Sequence, residues 1–319
     1  MPSVSGQEGG GGLWVVMATY NGARFLKEQL GSLGHQQLRP AGIIVRDDGS
    51  TDDTVAIVRE YADAAPIPVS VAVNPRRLGV ARNFLTLVRD VPARAAYVAF
   101  ADQDDIWEPW KLERAVAWLR RVPEDRPAFY ASRLRLIDAE GRELGLSPDW
   151  PRPPAFANAL VENIATGCTM VLNRAAVRLL QRAGVPDVAF HDWWAYLLVT
   201  GAGGEVLFDS RPGIRYRQHA GNVAGAPTSL LHAAFKRIRR LGQNRRGVGH
   251  ILSGNLEALH AVETLLRPEH ARIVCSLRAV RTAGPRARLA LWRRAGLYRQ
   301  FPSDDRIVRF LFLSGLLRI

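Results

Sequence analysis

Cysteine is nearly absent, with only Cys168 and Cys275 in 319 residues. Two isolated thiols build neither a disulfide framework nor a four-thiolate zinc centre, a usage that fits a reducing compartment. Long apolar runs are also missing. No stretch reaches the roughly 18 consecutive apolar residues of a membrane-spanning helix. The N-terminal MPSVSGQEGGGG has neither a basic n-region nor an apolar h-region, so residues 1–12 are expected to be a disordered leader rather than a secretion signal. Several catalytic signatures are absent too: G-x-G-x-x-G after a strand, G-x-x-x-x-G-K-[ST], G-x-S-x-G and H-E-x-x-H. Their absence weighs against dinucleotide oxidoreductases, P-loop NTPases, α/β-hydrolases and zincins. The seven histidines are scattered without metal-ligand spacing.

The composition itself is that of a globular protein, with 47% hydrophobic and 23% charged residues, 28 Gly and 19 Pro, which excludes collagen-like and disordered chains. The length suits one large α/β domain, or such a domain with an appendage. The charge is uneven. Of 43 Lys+Arg and 30 Asp+Glu, 18 basic but only 5 acidic residues lie in 226–319, so that segment carries the whole net charge of +13. Residues 1–225 are electrically balanced. The break predicts a folded domain over 13–225 followed by a basic, mostly helical region over 226–319.

Within the balanced part a strand–loop–helix unit repeats. Leu13–Ala18 is an apolar run ending in polar Thr19-Tyr20-Asn21-Gly22 and an amphipathic stretch to Leu33. Ile43–Val45 leads into Asp47-Asp48-Gly49 and a helix to about Asp63; Val69–Val73 leads into a helix from Val80 to Arg89. Tyr97–Phe100 ends in Asp102-Gln103-Asp104-Asp105, with a helix expected from Pro109 to about Arg121. Apolar strands alternating with amphipathic helices predict a mostly parallel sheet covered on both faces. Ligands of such sheets gather at the carboxyl ends of the strands, so Thr19, Asp47 and Asp102 are expected to converge on one crevice. Further on, the pattern predicts strands near Phe129–Ile137 and Thr169–Leu172, a Pro-rich loop at Ser147–Pro154, and a helix near Asp192–Thr200. Beyond Ala226, helices are expected over Leu230–Leu241, Ile251–Leu266 and Ile307–Leu317.

Three carboxylates in Asp102–Asp105 repel one another unless a cation or donor compensates, and hard ions such as Mg²⁺ or Mn²⁺ favour such turns together with phosphate oxygens. Helix capping is the blander alternative. Asp47 and Asp48 exceed what a Gly turn and an N-cap need, and fit a nucleobase or ribose. Asp192 beside Trp193 and Trp194 suits a general base with flat faces for a sugar, or a helix cap followed by core aromatics. Arg217 and His219 fit a pyrophosphate or an ordinary ion-pair network.

The ordered elements Ala18-Thr-Tyr-Asn-Gly22, Val45-Arg-Asp-Asp-Gly-Ser-Thr-Asp-Asp-Thr54, Asn83-Phe84 and Ala101-Asp-Gln-Asp-Asp-Ile-Trp107 resemble the family 2 glycosyltransferases of the GT-A fold over about residues 13–225. Asp-Gln-Asp-Asp-Ile-Trp, His191-Asp-Trp-Trp194 and Tyr216-Arg-Gln-His-x-x-Asn222 are similar to elements of bacterial rhamnosyltransferases. The resemblance implies that Thr19, Tyr20 and Asp48, with Asn21 and Asp47 beside them, hold the nucleotide, that Asp102 contacts ribose, and that Asp104 binds the metal. Asp192 is then the acceptor base of an inverting displacement, with Trp193 and Trp194 on the acceptor side, while Arg217 and His219 touch the diphosphate. Members often carry Glu before that Asp, whereas His191 stands here. The donor implied is dTDP-rhamnose and the acceptor a bacterial surface polysaccharide or lipid-linked glycan. A UDP-hexose or UDP-N-acetylhexosamine donor, or a non-catalytic sugar-nucleotide-binding protein, are the alternatives.

The basic region alternates Arg/Lys with apolar residues, as in Phe235–Leu241 and Arg306–Ile319. Such helices either lie on an anionic membrane surface or pack on the catalytic domain with solvated arginines. The first reading makes the enzyme peripheral to the inner face of the cytoplasmic membrane. No nucleic-acid-binding motif accompanies the charge, so nucleic acid is not an expected partner.

Overall fold

The computed structural model describes residues 11–219 and 248–317. The leader up to residue 10, the basic stretch Phe235–Leu241 and the helix expected over Leu230–Leu241 lie outside them. The expected alternation opens the chain as β1 Leu13–Thr19, α1 Ala23–Gly34, β2 Gly42–Asp47, α2 Thr54–Ala64, β3 Val69–Val73, α3 Val80–Asp90 and β4 Tyr97–Ala101. Then follow β5 Ile106–Trp107, α4 Lys111–Leu119, β6 Ala128–Ile137, β7 Glu143–Leu146, the short α5 Phe156–Ala159, β8 Val171–Asn173, α6 Arg174–Ala183, α7 His191–Gly201 and β9 Glu205–Arg217. All these strands form one sheet in the order β3-β2-β1-β4-β8-β6-β9-β5, with β7 on β6.

The first half of the sheet is parallel from β3 to β4, and its central strands are apolar throughout because helices cover both faces. α1 turns Phe25, Leu26, Gln29, Leu30 and Leu33 inward at helical spacing. The second half departs from the parallel expectation. β8 runs antiparallel to both β4 and β6, and β5 antiparallel to β9, whereas β9 pairs parallel with β6. Between Asp209 and Ile214 of β9 the register shifts, so Ser210–Gly213 bulges out around Pro212, which cannot donate to a ladder. The strand expected at Thr169–Leu172 begins as a 3₁₀ turn, Gly167–Thr169, before β8. α4 starts at Lys111 rather than Pro109 because the Lys111 amide closes a turn onto the Glu108 carbonyl at 3.0 Å.

Beyond residue 247 come α8 Val248–Ala261, α9 Pro268–Ala279, α10 Pro285–Arg294 and α11 Pro302–Ser314, the last three with Pro in the first turn. The Ile251–Leu266 expectation thus ends early, at Ala261, followed by a 3₁₀ turn at Glu263–Leu265. The Ile307–Leu317 expectation is shifted towards the N-terminus, and α11 stops at Gly315, whose φ of 78° is the left-handed cap glycine favours. Among the described residues no helix is long and apolar enough to cross a membrane.

These helices pack on the rest of the molecule. Leu252, Leu256, Leu259, Val274 and Leu277 share one hydrophobic core with Trp194 and Leu198 of α7. A polar clamp secures the contact. Glu162, 3% exposed, accepts from the Arg299 guanidinium at 2.9 Å and the Gln300 amide at 2.7 Å. Buried Gln300 in turn exchanges bonds with the Arg152 backbone at 2.8 and 3.1 Å. Removing one partner of a buried pair strands the other, at about 3–5 kcal/mol. Glu162→Ala is therefore expected to lower the unfolding free energy by that amount in urea denaturation.

Candidate active site

The carboxyl ends of β1, β2 and β4 open onto a cleft of about 430 Å³, closed on the far side by the first turn of α7 and the end of β9. Thr19, Tyr20, Asn21, Asp48, Asp102, Asp104, Asp192 and His219 all line it. Asp47, Arg217, Trp193 and Trp194 do not.

Asp47 and Asp48 are neighbours with opposite duties. Asp47 is fully buried; it accepts from Thr19 Oγ1 at 2.9 Å and from the Gly49 and Ser50 amides at 3.0 and 2.7 Å, and so shapes the turn after β2. The nucleotide role expected of it is replaced by this internal one. Asp48 faces the cleft. It accepts from the Leu78 and Gly79 amides at 2.7 and 2.8 Å and from Asn74 Nδ2 at 2.9 Å, drawing the 74–79 loop to the cleft wall. On that loop the Arg77 guanidinium lies 3.8 Å from the centre of the Tyr20 ring, a cation–π stack at the cleft mouth that motif reading did not pick out.

Gln103 stitches the two sides of the floor together. Its side chain accepts from the Tyr20 amide at 2.8 Å and donates to the Tyr20 carbonyl at 3.0 Å, across 83 positions of sequence. The approach is so close that a Cβ on Gly22 would fall 2.2 Å from Gln103 Oε1, so a larger residue there would displace that amide from Tyr20. Asn21, at φ 48°, takes the left-handed conformation its side chain tolerates and accepts from the Thr51 amide at 2.8 Å.

Asp102 and Asp104 stand on the loop after β4, both partly buried. Burial, with the charges of Asp104 and Asp192 added, pushes the Asp102 carboxyl up to about 7. Asp104 Oδ2 lies 2.7 Å from His219 Nε2. This crowd of carboxylates with an imidazole beside it is a donor set for a hard divalent cation, whose charge would relieve the repulsion. Behind the loop, buried Asp105 is also pushed up, by burial and then by Asp104 and Asp102, and accepts from the Arg217 amide at 3.3 Å. Lys111 is buried nearby with Nζ 3.3 Å from the centre of the Trp107 ring, and burial lowers it to about 7 against the pull of Cys168 and Asp105.

Arg217 differs from its expected diphosphate contact. Its guanidinium is 2% exposed, paired with Glu28, and donates to the Asp104 carbonyl at 3.1 Å and the Ala139 carbonyl at 2.8 Å. It therefore braces the Asp104 loop from behind. His219, two residues on, does reach the cleft.

On the opposite wall Asp192 opens α7. Its carboxylate accepts from the Trp193 amide at 2.6 Å and the Gly167 amide at 3.0 Å, while burial pushes it up to about 6. Gly167 has to be glycine, since a Cβ would lie 2.5 Å from His191 Nε2. His191 is buried, stacked on Phe84 with ring centres 4.0 Å apart, and held neutral by burial, its value lowered to about 3. The flat sugar faces expected of the two tryptophans are not present. Trp194 is fully buried, and Trp193 donates its Nε1–H to the Ala159 carbonyl at 2.7 Å, so both belong to the core.

Comparison with known proteins bears on this arrangement. The sequence pattern described as Glycosyl transferase family 2 matches residues 14–178. The chain is 29% identical over 230 residues to dTDP-rhamnosyl transferase RfbG of Shigella flexneri, covering 70% of this chain and 78% of that one. It is 24% identical over 216 residues to UDP-Glc:alpha-D-GlcNAc-diphosphoundecaprenol beta-1,3-glucosyltransferase WfaP of Escherichia coli, covering 66% and 78% respectively. Among solved structures it is similar to TarS residues 1–349 of S. aureus in complex with UDP-GlcNAc, with a TM-score of 0.52, 16% identity, and coverage of 90% and 92%. GalNAc-T7 with UDP, GalNAc and Mn²⁺ gives a TM-score of 0.53 at 13% identity, with coverage of 81% and 54%. These structural likenesses establish the fold, a GT-A α/β architecture.

Proposed function

Because the chain belongs to glycosyl transferase family 2, we propose that it transfers L-rhamnose from dTDP-rhamnose, with inversion, onto a bacterial surface polysaccharide or a lipid-linked glycan. The observation that carries the reading is the meeting of Asp48, Asp102, Asp104, Asp192 and His219 in one cleft, from strand ends far apart in sequence. The rhamnosyl donor rests on the RfbG relative together with the DQDDIW, HDWW and YRQH elements.

Tyr20 and Asp48 hold the base and Asp102 the ribose, at the ends of β1, β2 and β4. Asp104, with His219 against it, holds a divalent ion, Mg²⁺ or Mn²⁺; when bound, this ion neutralises the charge that develops on the departing diphosphate. Asp192, on the opposite wall, takes the proton of the acceptor hydroxyl. The acceptor oxygen then bonds to the anomeric carbon as the bond to the diphosphate breaks, and the nucleoside diphosphate leaves with that electron pair. Two carboxylate sites facing each other across the sugar suffice, because the leaving group needs no protonation.

A second reading, a UDP-sugar donor, is favoured by the WfaP relative. The two separate on nucleotide titration by calorimetry: dTDP is expected to bind in preference to UDP and GDP with Mn²⁺ present, and to lose that affinity in EDTA. Preference for UDP would move the donor to the second reading, and no binding of any of the three would overturn the site assignment.

The proton-acceptor role makes a pH prediction. Asp192 works ionised, so kcat/KM is expected to rise with pH through an apparent value near 6 and to fall about tenfold per unit below it. Asp192→Asn is expected to cut transfer by at least about 100-fold while donor affinity is kept. Parental transfer by that variant would remove Asp192 from the reaction.

Docking on an anionic membrane surface at the inner face of the cytoplasmic membrane belongs to the same reading. It is supported by the basic excess of residues 226–319 and by Ile307, Phe310 and Leu316, which are 43, 66 and 75% exposed beside Arg306 and Arg309. The protein is expected to co-sediment with phosphatidylglycerol vesicles but not with phosphatidylcholine vesicles, and to be released by salt; equal partition to both would refute it.

A further inference from the structure

Away from the cleft, the end of α8, the following 3₁₀ turn and α9 bring together His260, Glu263 and Cys275, and we propose that these three form a binding site for a divalent transition ion, Zn²⁺ in the first place. His260 Nδ1 lies 2.9 Å and Cys275 Sγ 3.6 Å from the same oxygen, Glu263 Oε2, and all three donor atoms are within 4.8 Å of one another. Zinc bound tetrahedrally at its usual ligand distances holds neighbouring donor atoms about 3.3–3.7 Å apart. The Glu263 oxygen already lies close to these spacings, and closing the half-buried His260 ring and the exposed Cys275 thiol on each other by about an ångström reaches that geometry.

The donor set sets the preference. Thiolate with imidazole selects zinc and its neighbours, whereas the oxygen-rich loop around Asp104 suits Mg²⁺ or Mn²⁺. His260 and Glu263 are 36 and 43% exposed, and the Cys275 side chain is exposed, so an ion can enter and water can take the fourth position. Binding releases the thiol proton to solvent, and the neutral imidazole coordinates through Nδ1 with its hydrogen on Nε2. In the metal-free protein the same three groups are joined by hydrogen bonds, so little ordering is left for the ion to impose.

The location gives such an ion a role. α8 and α9 place Leu256, Leu259, Val274 and Leu277 against the core that also holds Trp194, two positions from Asp192. A bridge from α8 to α9 ties that support together and makes its stability metal-dependent.

Titration of the full-length, reduced protein with Co²⁺, read by absorption, tests the site without nucleotide or acceptor, so it stands apart from the function proposed above. One equivalent is expected to produce a thiolate-to-cobalt charge-transfer band that Zn²⁺ displaces. Cys275→Ser and His260→Ala should abolish the band and weaken Zn²⁺ binding by at least about tenfold, and Zn²⁺ should raise the Tm of the parent but not of Cys275→Ser. Cys168→Ser should leave the band intact. No band in excess Co²⁺ would overturn the proposal; so would a band that survives Cys275→Ser and disappears with Cys168→Ser, since the ion would then sit beside Asp102 and Asp105.

Discussion

The gathering of Asp102, Asp104 and Asp192 in one partly dry cleft is the constraint on which the rest of the structure depends. Burial first, and then the charges of Asp104 and Asp192, push the Asp102 carboxyl up to about 7, so a second charge is costly to hold in this partly dry cleft. The surrounding polar groups hold these carboxylates in place. Gln103 ties the loop to β1, Arg217 braces it from behind through the Asp104 carbonyl, and the amides of Trp193 and Gly167 hold Asp192 at the head of α7. The cleft is left open to a cationic occupant.

The parallel half of the fold was legible because its physics is local. A strand covered on both faces must be apolar throughout, and the polar residues at its tip must face a ligand or a turn, so β1, β2 and β4 could be placed together with their clustered acids. In the other half only the strands near Phe129–Ile137 and Thr169–Leu172 were legible, and not their antiparallel direction. β9 is interrupted by Ser210-Arg211-Pro212-Gly213, which reads as a loop, and only the partner strand β6 shows that it is a bulge.

Among site residues the same boundary holds. Asp48 and Asp47 are indistinguishable in sequence, and only the tertiary positions of Thr19 and of the 78–79 amides send one inward and the other to the cleft. Trp193 and Trp194 look like sugar platforms from composition, but a helix start facing the core buries them. Arg217 has the right charge for a diphosphate and the wrong direction, set by Glu28 from 189 positions away. Arg77 lies in no motif and Gln103 in one read for its acids, and the partners of both exist only once the chain has folded.

Trp194 touches both worlds. It lies two positions from Asp192, and it is packed into a core to which the C-terminal helices contribute Leu256, Leu259 and Leu277. The break in charge at residue 225 is therefore not a seam in the packing. A chimera joined at that residue would cut through a core that also takes Val16 of β1, Phe84 of α3 and Phe100 of β4, so α7, the C-terminal helices and that face of the sheet have to be carried as one block.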